Sequence, residues 1–180
     1  MYNDNVLGVL MNKAVIVING AGGVGKDTLC DMASKHFKVC NISSITPIKE
    51  VASSFGWRGE KTDKARKFLA DLKALAVEYN DFPTLWAKER YEEFLSGDGE
   101  IMFVHIREPL EIKKFVCVTD GAAKTLLIRG GKRMTKSHYG NAADDMVENY
   151  DYDYYFVNEN GFEEAERDFV LLLEKILKEN

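Results

Sequence analysis

The chain has 180 residues, 46% of them hydrophobic, and a formal net charge of −5. That is enough for one domain with a sizeable core, and the acidic balance excludes a broad basic field of the kind that attracts nucleic acid. No apolar run reaches membrane length and no signal-peptide pattern opens the chain, so a cytoplasmic protein with neither membrane nor nucleic-acid partners is expected.

Residues 1–12 carry little pattern and are expected to form an N-terminal extension outside the core, with Met11 reading as a second possible start. Residues 13–180 read as a single domain. The first strand is Ala14–Asn19, and a glycine-rich loop follows it. A helix then runs from Lys26 to about His36, with Leu29, Met32 and Ala33 on one face. Val39–Ile45 is the second strand, and Pro47 opens a short helix that ends near Phe55, where Gly56-Trp57-Arg58-Gly59 breaks it. The spacing of Phe68, Leu69, Leu72 and Leu75 predicts a long helix from about Thr62 to Tyr79. Pro83 sits in the first turn of another helix, ending near Leu95. The turn at Ser96–Gly99 leads into a strand over Ile101–Ile106, and a helix from Arg107-Glu108-Pro109 to about Val118 is closed by Gly121. Lys124–Arg129 is a fourth strand. Residues 130–149 are polar and glycine-containing and read as a lid loop. Tyr154–Val157 is a fifth strand, and a helix from about Phe162 to Lys178 carries the stripe Phe169, Leu172, Leu173 and Ile176. This alternation argues for a parallel sheet covered by helices on both faces. Cys30, Cys40 and Cys117 lie far apart without metal spacing and read as buried reduced thiols.

The loop carries the chemistry. Gly20-x4-Gly25-Lys26 is the spacing of a phosphate-binding P-loop, with Gly20, Gly22, Gly23 and Gly25 freeing backbone N–H groups to ring a phosphate at a helix N-terminus. Lys26 would reach the terminal phosphates as a point charge. The rival pattern, Gly20-x-Gly22-x-x-Gly25 of a dinucleotide-binding unit, requires a carboxylate at the end of the second strand. Val39–Ile45 and the Thr46-Pro47 that follow supply none, and that pattern leaves Lys26 unexplained.

With loop and strands placed, the chain resembles the P-loop nucleoside monophosphate kinases, and within them the branch of deoxynucleoside monophosphate and phosphomevalonate kinases. The likeness spans residues 13–178. It rests on Gly25-Lys26-Asp27-Thr28, on Ile45-Thr46-Pro47-Ile48-Lys49, and on Val147, Asn149-Tyr150, Asp153-Tyr154 and Asn158 in the C-terminal part. The resemblance implies a three-layer α/β/α fold with a five-stranded parallel sheet in the order 2-3-1-4-5. It implies ATP on the loop, Mg²⁺ as cofactor, a lid closing over the phosphates, and a small-molecule phosphate acceptor such as a nucleoside monophosphate. Catalysis would rest on positioning and charge neutralisation with water excluded.

Under that resemblance, Thr28 and Asn158 join the loop as ATP-binding residues. Asp27 stands where a hydroxyl usually touches Mg²⁺ and can serve as a hard oxygen ligand, or simply favour a helix N-terminus. Arg107, past the third strand, suits a bidentate grip on a phosphate, or a salt bridge to Glu108 or Glu111. Arg129 and Arg133 flank the lid and, with Lys26 and Arg107, form the candidate catalytic cations; Lys132, Lys136 and His138 lie nearby. Lys49, Arg58 and Arg66, with Arg107, are acceptor-side candidates, set against plain surface charge. His105 stands where the resembling kinases commonly carry Asp, and reads either as a site residue or as a histidine hydrogen-bonded within the sheet. Trp57, Trp86 and Tyr91 could stack on a base or belong to the core. A regulatory GTPase is disfavoured because neither Asn-Lys-x-Asp nor Asp-x-x-Gly occurs. A phosphomevalonate-like kinase, or a nucleotide-binding module without catalysis, would share the ATP-side residues. Nothing in the sequence sets the oligomeric state.

Overall fold

In the computed structural model, residues 12–130 and 147–179 are described. Five strands form one parallel sheet in the order β2-β3-β1-β4-β5: β1 (Ala14–Asn19), β2 (Val39–Ser43), β3 (Ile101–His105), β4 (Lys124–Gly130) and β5 (Tyr154–Asn158). The described helices are α1 (Lys26–Ala33), α2 (Thr46–Ser54), α3 (Asp63–Asn80), α4 (Phe82–Ser96), α5 (Pro109–Val118) and α6 (Phe162–Glu179). This is the expected three-layer α/β/α arrangement and strand order.

β1 is the central strand and all six of its residues are buried. Its alternate side chains feed two cores, as a strand covered on both faces requires. Ala14, Ile16 and Ile18 pack with Leu29 and Cys30 of α1 and Phe169, Leu173 and Ile176 of α6. Val15 and Val17 pack with Ala87 and Phe94 of α4 and Ile112 and Phe115 of α5. Trp86 and Tyr91 are partly buried against this second core, which is the core alternative of their two readings. β1 pairs with β3 on one side and β4 on the other, with Ile18 opposite His105 and Leu126. The strand order therefore reverses around β1, and ligands in open α/β sheets bind beyond the carboxyl ends of strands at such a switch point.

The structure corrects the end of α1 and the burial of two cysteines, and it places α3 outside the core. α1 ends at Ala33, and the residues to His36 form turns whose N–H groups bond back to Cys30, Met32 and Ala33 carbonyls. The apolar stripe of α3 does not enter a core: the helix has no buried residue and Leu75 is 64% exposed. α3 is an outer wall, so part of its stripe faces a cleft and Phe68 meets Phe55 edge-on at 6.0 Å. The cysteines also differ from one another: Cys30 is buried, Cys40 half-buried and Cys117 exposed. A helix position alone does not bury a thiol. Most of the expected lid, residues 131–146, lies outside the described residues, as do residues 1–11.

Candidate active site

The loop leaves the carboxyl end of β1 and its geometry is set by glycine. Gly20 has φ +148, and a Cβ there would stand 2.4 Å from the Ile128 carbonyl oxygen of β4. Gly23 and Gly25 also hold positive φ, at 78° and 88°, where side chains are strained. Gly25 is the N-cap of α1, so the loop delivers its N–H groups to the positive end of that helix. Lys26 Nζ donates to the Gly20 and Ala21 carbonyls at 2.5 and 2.8 Å. An arriving phosphate would compete for that ammonium group.

The loop opens onto a cleft of about 1260 Å³. Gly22, Gly23, Gly25, Lys26, Asp27 and Thr28 line one side. His105 and Arg107, at the end of β3, form its floor, and Lys49 and Arg66 reach it from α2 and α3. The structure thus gathers most of the predicted site residues in one place. Arg58 is not among the lining residues; its guanidinium donates to the Ser53 and Trp57 carbonyls and pins its own turn. Arg129 also lies outside the lining. It makes a two-point contact to Glu148, at 3.1 and 2.6 Å, and its guanidinium sits 4.7 Å from the Tyr155 ring centre. Arg133, Lys132, Lys136 and His138 lie outside the described residues.

Asn158, at the end of β5, donates to the Val24 carbonyl at 2.9 Å and so braces the back of the loop. It also lines a second cavity, of about 380 Å³, with Thr28, Met32, Phe162 and Ala165. This cavity is continuous in lining with the phosphate loop through Gly23, Gly25 and Thr28.

Several lining residues escaped the sequence reading. Lys73 of α3 bridges Glu108 and Glu111 at 2.9 and 2.8 Å; these are the two carboxylates considered as partners for Arg107. Burial pushes both carboxyls up. At Glu108 the Lys73 ammonium and hydrogen bonds outweigh burial and hold it below the ordinary value. At Glu111 burial, reinforced by the Glu108 charge, prevails and holds it above. The available signal was Lys73's place within the apolar face Leu69, Ala70, Ala74 and Val77, at helical spacing, where a single cation calls for a buried partner.

His105 is hydrogen-bonded to the neighbouring strand at the edge of the cleft. It lines the cleft, and its Nε2 lies 2.8 Å from Asn41 Oδ1 and 3.9 Å from Cys30 Sγ. Burial lowers its pKa against the opposing pull of Asp27, and Lys26 and Arg107 lower it further. The Cys30 thiol is pushed up to about 12, chiefly by burial and also by Asp27 and Asp31, which leaves it a packed thiol rather than a nucleophile.

Among the described residues no three His, Cys, Asp or Glu side chains gather as a metal cage. Asp27 and Thr28, both lining the cleft, present one carboxylate and one hydroxyl. That donor set fits Mg²⁺, which is commonly held by one or two carboxylates plus substrate phosphates. No helix of the described residues is long and apolar enough to cross a membrane.

Neither a protein-family model nor a curated protein matches the sequence. Solved structures do match the fold. A protein described as a candidate kinase from Chloroflexus aurantiacus J-10-fl aligns over 94% of this chain and 98% of its own, at 13% identity and a TM-score of 0.55. A gluconokinase from Sinorhizobium meliloti 1021 aligns over 94% and 95%, at 13% identity and a TM-score of 0.53. With the strand order and the glycine loop described above, the chain has the P-loop kinase fold.

Proposed function

We propose that the chain is an ATP-dependent phosphotransferase that passes the γ-phosphate of ATP to the phosphate of a small acceptor, a (deoxy)nucleoside monophosphate in particular. The observation that carries this reading is that one cleft is lined both by the phosphate loop and by Arg107, Lys49 and Arg66. A transferring phosphoryl group needs in-line placement and charge neutralisation rather than covalent help.

In this reading the loop N–H groups and Lys26 hold the triphosphate, and the cavity beside Thr28, Met32 and Asn158 takes the donor base. Asp27, with Thr28, would hold Mg²⁺, which supplies charge neutralisation on the phosphate chain. Arg107 grips the acceptor phosphate, aided by Lys49 and Arg66. The face formed by Leu69, Ala70, Ala74 and Val77 offers a flat ring an apolar bed. Arg129 and Arg133 would serve as lid cations, for which Arg129 must exchange Glu148 for a phosphate.

One observation favours a second reading, transfer to an alcohol. An amide oxygen only accepts, so His105 gives its Nε2 hydrogen to Asn41 Oδ1, and the neutral ring keeps a lone pair on Nδ1. Such a nitrogen in a cleft could take a proton from a hydroxyl acceptor. The test is ADP release from ATP and Mg²⁺ with a panel of ribo- and deoxynucleoside monophosphates, phosphomevalonate, and unphosphorylated polyols. Acceptor-dependent ADP release with a monophosphate supports the first reading. Release with a polyol alone supports the second, and background hydrolysis throughout would leave a nucleotide-binding module.

A further inference from the structure

Between the phosphate loop and Arg107 lies one buried side chain that bonds the backbone of both. Asn19 ends β1 and is 1% exposed. Its Oδ1 accepts from Gly20 N–H at 2.8 Å, and its Nδ2 donates to the Arg107 carbonyl at 3.0 Å and to the Tyr152 hydroxyl at 2.8 Å. One primary amide has a carbonyl and two N–H groups to give, and here the carbonyl takes the next residue while the N–H groups reach two distant segments. Tyr152, itself buried, passes the chain on: its hydroxyl donates to the Val147 carbonyl at 2.9 Å, and its N–H donates to the Tyr155 hydroxyl at 3.2 Å. Tyr155 is the ring beneath Arg129, and Arg129 is held by Glu148.

The end of a buried parallel strand needs no amide; an apolar residue would satisfy the packing. An amide that bonds the loop beside it through its oxygen and two distant segments through its nitrogen fixes distances, because a misplaced partner is left with an unmet buried polar group. We propose that Asn19, acting through Tyr152, is a positioning residue. It holds the first residue of the phosphate loop, the backbone of Arg107 and the 147–155 segment in one register. The donor phosphate and the acceptor cation then face each other across a fixed gap, and a change at the loop is felt at 147–155. The inference rests on the kinase reading for its purpose, though the hydrogen-bond bridge itself does not.

The probe is Mg²⁺ with the non-hydrolysable ATP analogue AMP-PNP, applied to the wild type, Asn19→Ala and Tyr152→Phe. Binding is read by calorimetry and backbone protection by hydrogen exchange. Tyr152→Phe removes one hydroxyl and keeps a ring that packs edge-on against Tyr150 and Tyr155, so it stands in if Asn19→Ala fails to fold. In the wild type the analogue should slow exchange at 20–28 and also at 147–155. In Tyr152→Phe the affinity and the protection at 20–28 should stay near wild type. Protection at 147–155 should fall by about tenfold, the scale of one buried hydrogen bond. Wild-type protection at 147–155 in Tyr152→Phe, or an equal loss at both segments, would overturn the bridge. A wild type that binds no AMP-PNP would overturn the ATP reading instead. The bridge is then judged in the free protein: Tyr152→Phe should speed exchange of the Gly20 amide, and an unchanged rate would overturn it.

Discussion

α1, directly after the phosphate loop, buries Leu29, Cys30, Met32 and Ala33 within eight residues, whereas α3, lining the opposite side of the same cleft, buries none of its eighteen. The donor side is anchored in the core that α1 shares with α6, and its loop is shaped by positive-φ backbone that suits glycine. The acceptor side is held by polar links such as the Lys73 bridge and by edge contacts such as Phe55 with Phe68. On the phosphotransferase reading, the donor site is preformed and the acceptor wall is free to adjust. Segments with few buried contacts open most readily, and closure around both substrates is what excludes water.

The comparison is broken most severely at Lys26. Lys26→Ala should leave the fold intact, because the Gly20 and Ala21 carbonyls that its ammonium group meets lie in the loop itself, while phosphoryl transfer falls on the order of 10²–10³-fold; full activity in a folded variant would contradict the donor-side assignment. Gly20→Ala attacks the backbone instead. With a Cβ 2.4 Å from Ile128 O and φ +148, the substitution should reduce stability by about 2–3 kcal/mol, measured by urea unfolding, and an unchanged midpoint would show that the loop is less constrained than its geometry requires. Lys73→Met tests the other wall. It strands Glu108 and Glu111 without their cation and should destabilise by about 1–2 kcal/mol, between exposed and buried pairs. Hydrogen exchange should quicken in α3 while residues 14–33 stay unaffected.

The smallest effect is on pH dependence. Burial lowers the pKa of His105 beneath its ordinary 6.5, so below that value the unfolded chain binds the proton more readily than the folded one. His105 therefore contributes stability that is lost as pH falls below 6.5. Glu111, raised by burial, acts in the opposite sense, losing its contribution as pH rises. The two are separated by variant: between pH 7.5 and 5.5 the wild type should lose more stability than His105→Asn. Equal losses would remove His105 from the account.

The donor side was legible in the sequence because its signals are local. The spacing of Gly20, Gly25 and Lys26, the apolar run of β1 and the periodicity of α6 each sit within a few residues, and backbone sterics leave few alternatives. The strand order followed from the resemblance and the structure reproduces it. The acceptor wall was legible only as a helix. Its spacing of Phe68, Leu69, Leu72 and Leu75 is what a core helix would show, and nothing local distinguishes a stripe that faces a cleft. Lys73, Glu108 and Glu111 join across 35 to 38 positions of sequence, and Asn19 meets Tyr152 across 133, so neither cluster has a spacing to read. Arg58 misled for the same reason, since a cation in a glycine turn looks alike whether it grips a ligand or its own carbonyls.

The most direct test of the phosphotransferase account follows the label from [γ-³²P]ATP with each acceptor that raises ADP release. The account predicts that the label appears in the phosphorylated acceptor, as nucleoside diphosphate when a nucleoside monophosphate is supplied, and that Lys26→Ala slows its appearance on the order of 10²–10³-fold. Label recovered only as inorganic phosphate, at a rate no acceptor changes, would contradict it.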